Sequence, residues 1–466
     1  MRDISVLLFF NSHKLETTLE LKRQLGLVTA IFIIIADVIG TGIFVTTGSV
    51  LGMTGNAFIV LLLWGIGGIV AITGALCYAE LAVMWPDDGG EYIYLKKIFG
   101  MLPSFLTGWI SLVVGFTASV AISSLTLVWY LSEFCQIAFL ADPVYQKVLA
   151  AGLIVLFGII HIYGVKQGSF LQNGLTVLKL LIVVSFITFG FVYADWSQAD
   201  RLTMAYSSGG GKSITDYGLV LLLVMFAYSG WNGASYMAGE IKNPEKNLPR
   251  AMFFGTLLIT FLYILLNVVY IISSPGTDLL GKHAIGAIAA GNLFGTAGAS
   301  MITLGIALIL LSAVSVQMMI GPRVYYAMAK DRMIFHSLER VNPRFLTPDL
   351  AIIIQTCIAV VYVMIGKNNI EALLIYMGFS LNIFPLLSVI GLMIMRKREP
   401  ELERPFKVPF YPVVPLIYIV LTFSMMVAAL VNWTKTSLFA CGVVAAGVVV
   451  YYTWQKILSM KGVDSE

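Results

Sequence analysis

This sequence has little charge. Only 12% of its 466 residues are Asp, Glu, Lys or Arg, and the net charge is +4. So small and scattered a charge excludes a nucleic-acid surface, which needs a basic patch. A disordered chain is excluded too, because disorder needs low hydrophobicity. Cysteine is scarcer still. Cys77, Cys135, Cys357 and Cys441 lie far apart with no CxxC pair, so neither a zinc site nor a disulfide framework is expected. None of the four histidines (His13, His161, His283, His336) begins an HExxH motif, and there is no GxSxG elbow. Gly211-Lys212-Ser213 has the tail of a phosphate loop, but Tyr206 stands where its first glycine belongs. No enzyme activity, metal, cofactor or ATP-driven pumping is expected.

Apolar residues fill the space that charge leaves. They make up 59% of the chain, and the mean hydropathy is +0.90. That excess excludes an ordinary soluble enzyme. A membrane helix needs about 20 mostly apolar residues, and twelve such segments occur, at 27–50, 58–84, 103–133, 148–164, 170–194, 216–239, 251–274, 299–327, 349–366, 371–395, 411–431 and 437–457. The runs are near-continuous, unlike the alternating pattern of membrane β-strands. With both termini in the cytoplasm, 22 Lys and Arg fall inside. Six fall outside: Lys147, Arg201, Lys212, Lys282, Lys367 and Lys435. This split places both termini inside and supports the helix count. The expected organisation is a cytoplasmic segment 1–26, helices 1–5 in 27–196, helices 6–10 in 213–398, two further helices in 410–458 and a cytoplasmic tail 459–466. The first span can direct insertion without a signal peptide, and the apolar run at 6–10 is too short to be one.

Two spans carry glycines at their middles: Ile39-Gly40-Thr41-Gly42-Ile43-Phe44 in the first and Phe226-Ala227-Tyr228-Ser229-Gly230-Trp231-Asn232-Gly233 in the sixth. Gly-interrupted spans at matching positions of two halves point to an inverted-repeat transporter. A helix broken at mid-membrane frees N–H groups at one half-helix and carbonyls at the other, and lipid satisfies neither. The N–H groups suit a carboxylate and the carbonyls an ammonium, so one site takes both ends of a zwitterion. Close helix packing is the other use of such glycines. Lys179 lies within the fifth span, where an ammonium needs an interior partner. Carbonyls of the broken first span fit that need, and snorkelling to an interface is the alternative. Asp37, one turn before the first break, can titrate, contact a cationic solute, or serve as a satisfied structural carboxylate. Glu80 and Glu240 read as structural or gating residues, and His161 as structural.

These pieces, taken in order along the chain, resemble a known family. The first is Ile39-Gly40-Thr41-Gly42-Ile43-Phe44, followed by Tyr78-Ala79-Glu80-Leu81 with Pro86 and Gly89-Gly90-Glu91-Tyr92. Phe226-Ala227-Tyr228-Ser229-Gly230-Trp231 comes next, then the segment 239–250, the segment 323–331, Thr347-Pro348 and Arg404-Pro405-Phe406-Lys407-Val408-Pro409. The chain resembles the amino acid–polyamine–organocation superfamily, and within it bacterial L-amino-acid transporters related to serine/threonine exchangers. The resemblance implies an all-α LeuT-type fold of 12 transmembrane helices, with a 5+5 inverted repeat (27–196 the first, 213–398 the second) and discontinuous helices 1 and 6. It implies that amides around Thr41, Gly42 and Ile43 hold the substrate carboxylate. Carbonyls around Ile39, Phe226, Ala227 and Ser229, next to Gly230, would take the amino group. Phe226 matches the gating aromatic, Asn232 a polar position near the substrate, and Lys179 a lysine that replaces sodium. Asp37 departs from the family pattern. Cys135 lies near the loop where animal relatives bind a heavy chain, but no such partner is inferred.

The expectation is therefore a multi-pass cell-membrane protein that exchanges neutral L-amino acids without sodium by alternating access. The alternatives are a proton-coupled symporter or a carrier of polyamines or cationic amino acids, and, in other classes, an amino-acid sensor or a channel. The partners expected are the L-amino acid and the lipid bilayer, with no nucleic acid.

Overall fold

The computed structural model describes residues 21–206, 213–282, 284–365 and 370–460. The apolar run at 6–10, His13, Gly211, Lys212, His283 and Lys367 lie outside them. Every regular element among the described residues is helical, apart from three isolated bridges.

The chain begins with two short helices in line, α1 (Leu27–Val38) and α2 (Gly42–Thr54), bent by 44° at a three-residue break. Gly55, left-handed at φ 63°, ends α2. Asn56 then caps α3 (Ala57–Met84) by accepting from Ile59 N at 3.2 Å. A turn through Gly89 and Gly90 leads into α4 (Glu91–Phe99), and α5 (Met101–Ile110) continues through one π-turn, Ser111–Gly115, into α6 (Phe116–Cys135). Asp142 and Pro143 start α7 (Pro143–Ile162), and α8 (Val165–Tyr193) follows Gly164. Then come α9 (Ile214–Tyr228), two single 3-10 turns, α10 (Pro244–Ser273), α11 (Gly276–Leu279) and α12 (Ile285–Lys330), which is kinked at Gly295. The chain closes with α13 (Asp349–Ile365), α14 (Ile370–Arg398), α15 (Val413–Asn432) and α16 (Thr434–Met460).

Nine of the described helices are long and apolar enough to cross a membrane, or ten with the α1–α2 pair taken as one broken span. α9 and α13 are shorter apolar helices at the places of the expected sixth and ninth spans. Large apolar side chains such as Phe58, Leu62, Leu181, Phe189 and Phe423 face outward. That surface is costly in water and ordinary against lipid tails.

The core holds the two discontinuous segments. α1 packs on α10, α8 and α12, while α2 packs on α9. Ionic clusters tie helix ends together at one end of the bundle. Glu240, fully buried, takes Arg323 Nε at 2.7 Å. Glu80, also fully buried, meets Arg396 (Nε at 2.9 Å), Arg404 (Nε at 3.4 Å) and the N–H of Val408 (2.7 Å). Removing one partner of a buried pair leaves an uncompensated charge. Arg323→Ala should therefore lose about 3–5 kcal/mol of stability. The loss would be read as a lower thermal midpoint in detergent, and an unchanged midpoint would remove the pair from this role.

Candidate functional site

The first break follows from local chemistry. The 39–42 stretch leaves the helical path at Ile39, whose ψ is 88°, and α2 restarts at Gly42. The freed carbonyls find partners from other helices. Lys179 Nζ, fully buried on α8, donates to Ala36 O at 2.7 Å and Ile39 O at 2.5 Å. The Tyr263 hydroxyl lies 2.8 Å from Val38 O and 3.0 Å from Ala227 O, spanning both breaks. Its ring is held against Trp64 and Tyr228, with centroids 5.3 and 5.1 Å away. The N–H groups of Thr41, Gly42 and Ile43 donate to no carbonyl among the described residues, as the first amides of a helix must.

The second break comes after Tyr228. Ser229 turns extended and Gly230 takes φ 102°, a left-handed conformation that glycine adopts without strain. Phe226 O accepts from Ser229 Oγ at 2.7 Å and Ser229 N at 3.1 Å. The breaks touch each other. A Cβ on Gly42 would lie 2.5 Å from Ala227 Cα, and one on Gly230 would lie 2.8 Å from the Asp37 carboxyl. Gly42 thus serves both readings of its glycine, since it opens a helix and lets two backbones meet. Asp37 and Lys179 act electrostatically on each other across this junction.

Two adjoining cavities open at the junction. One is lined by Gly40, Thr41, Gly42, Phe226, Ala227 and Ser229, with Ser119 and Ser123 of α6. The other is lined by Gly230, Asn232, Glu91, Thr107, Tyr236 and Ser380. Asp37, Ser119, Ser229 and Gln317 border both. Of the expected site residues, Thr41, Gly42, Phe226, Ala227, Ser229, Gly230, Asn232 and Asp37 meet here. Ile39 and Ile43 have fully buried side chains that line neither cavity, so they stand at the site through backbone alone. Ser119, Ser123, Gln317 and Asn382 were not singled out from sequence. Their signal was a lone polar residue in an apolar span, too common to stand out. Gln317 Oε1 and Ser380 Oγ are buried at this wall with no partner among the described residues, which is unusual for structural polar groups. His161, which lines neither cavity, bonds Ser315 Oγ through Nε2 at 3.0 Å. Cys135 ends α6, exposed.

The model of a family described as amino acid permease matches residues 25–451. The chain is 31% identical over 442 residues to the serine/threonine exchanger SteT of Bacillus subtilis, covering 94% of this chain and 98% of the relative. It is 32% identical over 436 residues to the human b(0,+)-type amino acid transporter 1, covering 93% and 88%. Against the human large neutral amino acids transporter small subunit 2 it is 30% identical over 443 residues, covering 93% and 81%.

Proposed function

Because the chain belongs to the amino acid permease family, a family of multi-pass membrane proteins, we propose that it exchanges neutral L-amino acids across the membrane by alternating access, without sodium. The observation that carries this reading is the junction of the two broken segments, where unpaired N–H groups and redirected carbonyls border a common polar cavity. In this reading the N–H groups of Thr41, Gly42 and Ile43 take the substrate carboxylate, and the helix dipole of α2 favours that charge. Carbonyls near Phe226, Ala227 and Ser229 take the ammonium. Ile39 O already accepts from Lys179, Ala227 O from Tyr263 and Phe226 O from Ser229, so Ser229 O takes the largest share of the ammonium. Lys179 holds the first break through its hydrogen bonds to Ala36 O and Ile39 O, in the place a bound sodium ion would otherwise fill. Phe226, half-buried at the cavity wall, is the gating aromatic.

The reading includes twelve spans, with α9 and α13 crossing as the sixth and ninth, in a LeuT-type arrangement. The first repeat occupies 27–196 and the second 213–398, with two helices in 410–458 and cytoplasmic segments at 1–26 and 459–466. The excess of Lys and Arg in alternate loops supports cytoplasmic termini. The relatives named as an exchanger and as transporters support transport rather than enzymatic chemistry.

The test is counterflow in proteoliposomes. Uptake of a labelled neutral amino acid should rise several-fold when the lumen holds unlabelled amino acid, and should be unchanged when choline replaces sodium. A rate indifferent to the lumenal amino acid indicates a channel or a facilitator. A rate that falls without sodium removes the role given to Lys179.

A further inference from the structure

Glu91 opens α4, and its side chain is buried with no lysine or arginine bonded to it among the described residues. Neutral donors hold it instead. Asn232 Nδ2 donates to Oε1 at 2.7 Å, the Tyr236 hydroxyl donates to the same oxygen at 2.9 Å, and the Thr107 hydroxyl donates to Oε2 at 3.1 Å. Asn232 gives its second amide proton to the Tyr236 oxygen at 3.1 Å. Both protons of that amide are therefore committed.

With Glu91 ionised, this fixes which way the amide points. Turned over, Asn232 would set its oxygen against a carboxylate oxygen at hydrogen-bond distance, acceptor facing acceptor. In the observed orientation Oδ1 receives no hydrogen bond from any described residue, while Asn232 lines the cavity beside the second break. Gln317 Oε1 and the Asp37 carboxylate border the same space. The wall offers these acceptors beside the hydroxyls of Ser111, Ser119 and Ser380, and no Lys or Arg lines it.

We propose that Glu91 is a positioning residue for specificity. It locks the Asn232 amide with its oxygen toward the cavity, so the site favours amino acids whose side chain brings a hydroxyl or amide donor over apolar side chains of the same shape. This rests on the transport reading above. A site built around a hydrogen bond rejects the isostere that lacks it, because the buried acceptor is then left unpaired.

Threonine and valine have the same shape and differ by one hydroxyl, so their ratio is the readout. It is taken from competition for exchange in proteoliposomes and from thermal stabilisation of the purified protein, which needs no transport. The full-length wild type should prefer threonine by about tenfold or more, the worth of one well-made hydrogen bond. In Glu91→Gln the second amide can donate to Asn232 Oδ1, so the ratio should fall toward one through weaker threonine binding. Glu91→Asp, which keeps the carboxylate, should recover part of the preference. A wild type indifferent to the hydroxyl overturns the proposal, as does a Glu91→Gln protein with the wild-type ratio or with both ligands weakened equally. If Glu91→Gln fails to fold, Asn232→Ala decides, and an unchanged ratio there overturns it. Failure of any amino acid to bind wild type sinks the transport reading as well. Exchange without discrimination sinks only this one.

Discussion

Gly42→Ala should abolish exchange while Gly65→Ala leaves it near the wild-type rate. Both substitutions add one methyl to a membrane helix. On Gly65 that methyl meets nothing within 4 Å. On Gly42 it would sit 2.5 Å from the Cα and 2.7 Å from the Cβ of Ala227. The clash is with the main chain of the other broken segment, which cannot rotate away as a side-chain tip would. Overpacking of this kind costs about 1–3 kcal/mol even where neighbours can shift. Here the shift would separate the two breaks and pull the Thr41–Ile43 amides away from the Phe226–Ser229 carbonyls. Reconstituted uptake should fall to background with the protein still monodisperse in detergent. A Gly42→Ala protein that exchanges normally would show that contact between the breaks is not needed.

Lys179→Ala carries the second large effect. Two hydrogen bonds from an ammonium are lost, each contributing about 1.5–3 kcal/mol. The Ala36 and Ile39 carbonyls are left without their side-chain partner, and Asp37 loses a nearby positive charge. Exchange should fall by at least about a hundredfold, since 3 kcal/mol is already roughly two decades. Part of the damage is the uncompensated carboxylate. Asp37→Asn placed on Lys179→Ala should therefore recover some of the lost thermal stability without restoring transport. If the second substitution lowers stability further, the two charges do not balance each other across the junction.

The helix breaks were legible because glycine in an apolar run has few uses, and two such sites stand in the first and sixth apolar segments. Lys179 was legible for a related reason, since an ammonium in hydrocarbon demands a partner. The extent of the elements was harder to read. The segment 216–239 reads as one interrupted span, yet regular helix stops at Tyr228 and continues only as short 3-10 turns. Hydropathy cannot separate a helix from an irregular strand of chain buried among other helices. The eighth span was read closely, because Gly295 at φ 70° parts a short leading helix at 285–294 from the helix that follows, whose start lies near the expected 299. The polar wall of Ser119, Ser123 and Gln317 comes from different helices, and only folding sets those residues side by side. Glu91 was visible as part of a motif, but its grip on Asn232 spans 141 positions, and no local pattern encodes it.

The central claim is that the broken backbone itself binds the amino acid. An experimental structure of the protein with a bound amino acid tests it most directly. The account predicts the carboxylate within about 3 Å of the Thr41, Gly42 and Ile43 nitrogens, with the ammonium on carbonyls of the 226–229 stretch. An amino acid bound elsewhere, or one held at this junction only by side chains, would contradict it.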